Sequence, residues 1–293
     1  MSEQIAIGVI GGSGLYQMPG IEDVTTHSID TPFGRPSADV VIGTLRGKRV
    51  AFLPRHGAGH VLSPSTVPYR ANIYALKSLG VRFIVAVNAV GSLREDYAPG
   101  HIVIPDQLFD HTKANRGRSF FESEQGFVAH VGVADPFSPE LSSQLFDAVQ
   151  KAGGTVHRGG TLIIIEGPRF STRGESHIFR QWGCSMIGMT TTPEAFLARE
   201  AEIAYATMAH VTDYDVWHTS EEPVTTEMVF QTFHHNLEIA QQAVAHTVEA
   251  LDVSAEWPEH SALGGAVMTG SGALSSEAVA KLGPLVSRLY GQA

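Results

Sequence analysis

The sequence predicts a mixed α/β domain built on a distorted central β-sheet flanked by helices. Three observations predict it. Short apolar runs recur along the chain, several of them continuous rather than alternating, the pattern of strands covered on both faces. Stretches of helical period lie between those runs, so strand and helix alternate. Apolar residues at 43 % against 17 % charged, over 293 positions, supply enough for one large core.

In order, strands are expected at 5–10, 40–42, 50–53, 83–87, 101–104, 162–165, 185–187 and 205–211, and helices at 69–79, 140–152, 175–182, 193–204 and 226–251. Ser138-Pro139 and Thr192-Pro193 mark two helix starts, each a capping hydroxyl followed by proline at the first helical position. Residues 108–130 are polar and aperiodic and read as a long functional or interface loop. Composition changes after Asp252, where Gly264-Gly265 and Gly270-Ser271-Gly272 suggest a flexible joint before a last helix at 275–290. The expected division is a domain over 1–252 and a Gly/Ser-containing tail over 253–293.

The formal charge of -10, without a Lys/Arg block, argues against a nucleic-acid or membrane partner, because both demand a basic footprint. An anionic small substrate would therefore need a locally placed arginine. Cys184 is the single cysteine, so no internal disulfide is possible. The first residues lack a basic stretch and the apolar run at 5–10 is too short for a signal or spanning helix, so a cytoplasmic protein is expected. The histidines show no metal-binding spacing, and no metal site is expected.

Chemistry concentrates at the ends of the predicted strands. Thr212-Asp213-Tyr214-Asp215 closes the run at 205–211. Alternate strand residues share a face, so Asp213 and Asp215 can address one ligand while Tyr214 points elsewhere. Crowded like charges resist joint ionisation, which would leave one of them a proton to donate. A solvated strand end with two unconnected acids is the plainer alternative. Gly11-Gly12-Ser13-Gly14 follows the first strand and suits either a tight turn or a phosphate loop. Its spacing departs from the dinucleotide fingerprint, since Gln17 stands where the last glycine belongs.

Pro54-Arg55-His56-Gly57 supplies an arginine whose fork fits phosphate oxygens, or a surface salt bridge. Met189-Thr190-Thr191-Thr192 leads into a helix N-terminus, an anion site or an over-provided cap. Glu166-Gly167-Pro168-Arg169-Phe170-Ser171 offers a ring that can stack on a flat heterocycle or belong to the core.

Together with Asp30-Thr31-Pro32-Phe33-Gly34 and Gly91-Ser92-Leu93-Arg94, these motifs resemble, in order and over roughly residues 8–250, the trimeric purine nucleoside phosphorylase family, most closely its branch that cleaves 5′-methylthioadenosine. The resemblance implies a homotrimer, or a hexamer of paired trimers, that cleaves a nucleoside with inorganic phosphate as co-substrate and no cofactor. It implies a phosphate site of Ser13, Arg55, His56, Thr190 and the backbone at Ala89. Met189 would meet the ribose and Phe170 the base, with Ser171 supporting Asp213. His130 from a neighbouring subunit would close over the 5′ substituent beside Thr226 and Val229. Asp213 would protonate N7 of the leaving purine, and an ionised Asp215 would favour a 6-amino group over a 6-oxo group.

Three positions depart from that branch. Asn88 and Gly188 resemble 6-oxopurine phosphorylases, so a 6-oxopurine nucleoside or methylthioinosine phosphorylase is the alternative enzyme. Thr226 replaces an apolar residue and suits a more polar 5′ group. A non-catalytic adenine-nucleoside binder is the alternative of another class, although such a protein needs no phosphate cradle. A nicotinamide dehydrogenase is disfavoured by the incomplete glycine pattern.

Overall fold

The computed structural model describes residues 5–122, 126–218, 225–227, 237–270 and 273–290. Among them eleven strands form one mixed sheet: β1 (Ile7–Gly11), β2 (Ile21–His27), β3 (Val40–Leu45), β4 (Lys48–Pro54), β5 (Phe83–Ser92), β6 (Ile102–Ile104), β7 (Gln107–Asp110), β8 (Val156–Arg158), β9 (Thr161–Ile164), β10 (Cys184–Gly188) and β11 (Ala204–Asp213). Seven α-helices accompany them: α1 (Tyr69–Ser78), α2 (Pro139–Lys151), α3 (Arg173–Gln181), α4 (Thr191–Glu200), α5 (Leu237–Ala250), α6 (Ser276–Leu282) and α7 (Ser287–Tyr290).

The sheet forks at β5, and this fork is the distortion that the fold class implies. The first half of β5 pairs in parallel with β1. Its other edge pairs in parallel with β11 over most of its length, and Gly91 and Ser92 at its far end pair antiparallel with β10. One branch then runs through β10, β9 and β7, and the other through β11, β6 and β8. Leu53, Val85, Val87, Met186, Ala206 and Met208 are all buried, which explains the continuous apolar runs. Two large clusters pack the sheet. One brings Tyr69, Ile73 and Leu76 of α1 against Leu197 and Ala198 of α4, and the other brings Leu141 and Leu145 of α2 against Ala240 and Val244 of α5.

Several expected elements change. β2 lacks an apolar run because, as an antiparallel edge strand, all its residues except Ile21 are exposed. β7 takes up the start of the segment read as loop. The helix expected to continue to 204 stops at Glu200, because Ala204 already pairs with Phe83 in the sheet. Ser138 caps α2 by accepting from the Leu141 N–H, whereas Thr192 sits at φ -104°, ψ 138° inside α4 and its buried hydroxyl makes no hydrogen bond. The last helix breaks at Gly283, whose φ of +46° ends α6 ahead of Pro284. Of the helix expected at 226–251, residues 228–236 lie outside the described residues.

Residues beyond 252 join the same core: Leu263, Leu282, Leu285 and Val286 are buried with α1 and α4, and Trp257 meets Phe83 edge-on at 4.9 Å. The C-terminal end of α5 is capped from β4 by Lys48, whose Nζ donates to the carbonyls of Val248, Glu249 and Leu251 at 2.7–2.9 Å. Replacing it with methionine keeps the stem and removes the donors. Lys48→Met should cost about 1–3 kcal/mol, read as a lower urea midpoint with turnover unchanged.

Candidate active site

The carboxyl ends of β1, β4, β5, β10 and β11 open into a cavity of about 640 Å³, the usual ligand position in a sheet with parallel strands. Arg55, His56, Ala89, Phe170, Ser171, Met189, Thr190, Asp213, Asp215 and Thr226 all line it. Ser13 opens the short 3-10 turn between the lining residues Gly12 and Gly14. His130 is exposed, is held to the Ala266 carbonyl through its backbone, and does not line this cavity. Val229 lies outside the described residues.

At one end the arginine is neither a surface ion pair nor a free fork. Its Nε and Nη2 bond the two carboxylate oxygens of Glu194 at 2.7 and 2.8 Å, Nη1 donates to the Val87 carbonyl, and Nη2 also reaches Asn88 Oδ1 at 3.4 Å. Arg55 is 3 % exposed and Glu194 fully buried, with the Tyr205 hydroxyl on the same carboxylate. Four of the five guanidinium protons are thereby committed, leaving one Nη1 proton for a ligand. The site holds an arginine whose charge is balanced and whose position is fixed.

An anion at this end would draw mostly on neutral donors. Asn88 accepts from Thr207 Oγ1 at 2.8 Å, which orients its amide to donate to Thr190 Oγ1 at 2.8 Å. With its oxygen occupied as acceptor, the Thr190 hydroxyl keeps its proton for the cavity at the N-terminus of α4. The His56 ring meets the Leu62 carbonyl through Nδ1 at 2.8 Å, which places the proton on Nδ1. Burial, with Arg55 adjacent, holds its pKa down at about 4, so it is neutral at pH 7.

Asn88 therefore sits with Arg55 and Thr190 at this end of the cavity.

At the other end lie the two aspartates, paired by a turn rather than by strand alternation. Asp213 ends β11, while Asp215 sits past the strand at φ +52° and donates its N–H to Asp213 Oδ1 at 2.8 Å. Thr212 Oγ1 donates to Oδ2 at 2.7 Å. Tyr214 points away, with its hydroxyl on the Glu95 carbonyl. Burial comes first among the causes that raise Asp213 to about 6, and the charge of Asp215 is the lesser of them, so desolvation rather than crowding sets the shift. Asp215 is also raised by burial. Ser171 lies beside Asp215 rather than supporting Asp213. Gly91 faces both acids, and a Cβ there would stand 2.9 Å from Asp213 Oδ1, which explains the glycine.

Both ends are referenced to β5: Arg55 bonds at Val87 and Asn88, and Asp213 sits against Gly91. Three to four strand residues separate them, roughly 10–13 Å at the rise of a β-strand. Among the described residues no group of three His, Cys, Asp or Glu converges as a metal-ligand set. Sequence reasoning missed Glu194, which reads as an ordinary first-turn acid beside Pro193, and Leu237, which lines the cavity from α5.

A branched α/β sheet whose strand ends bring Arg55 and Thr190 into one cavity with two buried aspartates has the layout of an enzyme site. The chain matches the Phosphorylase superfamily over residues 6–251 and belongs to that family. The S-methyl-5'-thioadenosine phosphorylase of Chloroflexus aurantiacus is 55 % identical over 97 % of this chain and 98 % of that protein. The Geobacter sulfurreducens protein of the same name is 51 % identical over 96 % and 97 %. The crystal structure of a methylthioadenosine phosphorylase from an antarctic soil metagenomic library superposes with a TM-score of 0.91 at 49 % identity, covering 97 % of this chain and 99 % of that one. Methylthioadenosine phosphorylase from Schistosoma mansoni in complex with adenine gives 0.84 at 35 % identity, covering 90 % and 99 %.

The raised carboxyl of Asp213 fixes the sign of a stability effect. Its contribution favours folding fully below the ordinary pKa of 3.8 and is lost as pH rises through about 6. Asp213→Asn, neutral throughout, should therefore gain stability relative to the unaltered chain between pH 5 and pH 8. Urea midpoints at the two pH values check this, and a constant difference would contradict the raised pKa.

Proposed function

We propose that the chain cleaves 5′-methylthioadenosine with inorganic phosphate, releasing adenine and 5-methylthioribose 1-phosphate. The observation that carries the reading is the single cavity that joins the Arg55–Thr190 cradle to the Asp213–Asp215 pair. The names of the relatives support the substrate.

Breaking the N9–C1′ bond leaves positive charge on the sugar and negative charge on the purine. Phosphate held by Thr190, the one open Arg55 proton and backbone donors near Ser13 and Ala89 stabilises the cation and attacks C1′. Asp213 delivers its proton to N7, so the base leaves neutral and the carboxyl becomes carboxylate. Phe170, about a third exposed at the cavity, packs on the purine plane. Asp215 accepts from the 6-amino group and Met189 meets the ribose. Thr226 lines the 5′ subsite, closed by His130 of a neighbouring subunit in a homotrimer. No cofactor takes part, and the setting is the cytoplasm.

The test compares methylthioadenosine, adenosine and methylthioinosine with and without phosphate. Phosphate-dependent release of adenine is expected, with methylthioinosine the poorest substrate. Asp213→Asn should lower kcat by about 10²–10⁴ while KM changes little, since proton donation acts in the transition state. Near-normal turnover of that variant would remove Asp213 from the acid role. Arg55→Ala should raise the phosphate KM, and an unchanged KM would remove the arginine from the cradle.

A further inference from the structure

The long segment between β7 and α2 sends one side chain inward behind the cavity walls. Lys113, Ala114, Asn115 and Arg118 are exposed, yet the Arg116 side chain among them is wholly buried. It does not line the cavity. A guanidinium is kept from water only where its donors are met. Nε donates to Glu166 Oε1 at 2.8 Å and Nη2 to the Glu166 carbonyl. Nη1 donates to the Met189 carbonyl at 2.7 Å and reaches that of Thr192 at 3.5 Å.

Glu166 extends the hold. Its Oε2 accepts the N–H groups of Lys113 and Ala114 at 2.6 and 2.8 Å, and its Oε1 also accepts from Ser65 Oγ at 2.9 Å. Arg116 and Glu166 thus join three segments that supply cavity walls: Pro64 stands beside Ser65, Phe170 follows Glu166, and Met189 leads to Thr190. These segments meet without slack, since a Cβ on Gly167 would stand 2.6 Å from Met189 Sδ and 3.4 Å from Pro64 Cγ.

The Met189–Thr190 peptide is where this hold reaches the anion end. The peptide is planar and trans, so an oxygen fixed by Arg116 turns the Thr190 N–H to the opposite side. A cation on that oxygen also polarises the N–H into a stronger donor. The Thr190 hydroxyl is separately oriented by Asn88. We infer that Arg116 is a positioning residue for phosphate binding: from outside the cavity it fixes the Met189–Thr190 peptide against Glu166, and so sets the Thr190 donors that the anion meets. The inference rests on the function proposed above and adds a residue to it.

The experiment measures kcat and the KM for phosphate and for methylthioadenosine in the unaltered chain, Arg116→Met and Arg116→Lys, with urea midpoints to establish folding. Methionine occupies the space without donors. Lysine keeps a charge opposite Glu166, but one ammonium cannot replace the planar fork that spans Glu166 and the Met189 carbonyl. The phosphate KM should rise about tenfold in Arg116→Met and by a smaller factor in Arg116→Lys, with turnover at saturating phosphate within about threefold of the unaltered chain in both. An arginine that served folding alone would lower turnover through the folded fraction and leave the phosphate KM unchanged, and that result would overturn the inference. Should Arg116→Met not fold, Arg116→Lys decides by the same measurement. Absence of phosphate-dependent cleavage in the unaltered chain would overturn the underlying function instead.

Discussion

Arg55 reaches from the end of β4 to Glu194 on α4, and both side chains are almost wholly removed from water. Neither charge is tolerable there alone: breaking such a pair costs about 3–5 kcal/mol because the survivor stays buried. The two residues are 139 positions apart, so their bond ties an early strand to a late helix. Tyr205 brings β11 to the same carboxylate, and Asn88 brings β5 to the same guanidinium. Four elements that shape the cavity are thereby locked around one ion pair. Because the pair is internally neutral, an anion here would be drawn by oriented dipoles at a helix start and by a hydroxyl aimed by Asn88. Such donors need no reorganisation when a ligand arrives.

The far end of the cavity works by withholding water. Asp213 sits in a shell of a threonine hydroxyl and a backbone N–H, both of which favour its ionised form, yet burial outweighs them. The balance places its proton where it can be given up near neutral pH. β5 sets the distance between this acid and the cradle, and the fork in the sheet lets one strand carry both. Geometry between the two ends is therefore a property of strand register rather than of loops.

Much of this was legible in the chain. The strand runs and the α/β class followed from continuous apolar segments, and the cavity residues clustered at strand ends because parallel strands deliver their C-terminal loops to one side. Ser138 was legible as a cap because its chemistry is local. What was not legible depended on partners distant in sequence. Nothing around Glu194 marks it as the counter-ion of Arg55. The acid pair was found for the wrong reason, since the left-handed backbone of Asp215 is not written in an Asp-Tyr-Asp triplet. β2 escaped because an exposed edge needs no apolar face.

The segment after residue 252 carries a debt of charge. Glu202, at the end of α4 and only 4 % exposed, takes the Leu263 N–H and both Nε and Nη2 of Arg288. A chain trimmed before Leu282 would lose Arg288 and leave the buried Glu202 carboxylate without its counter-ion, with Leu282, Leu285 and Val286 stripped from the apolar cluster of α1 and α4 as well. Residues 253–270 and 273–290 thus clasp the core, and the buried charge of Glu202 meets its counter-ion only in α7.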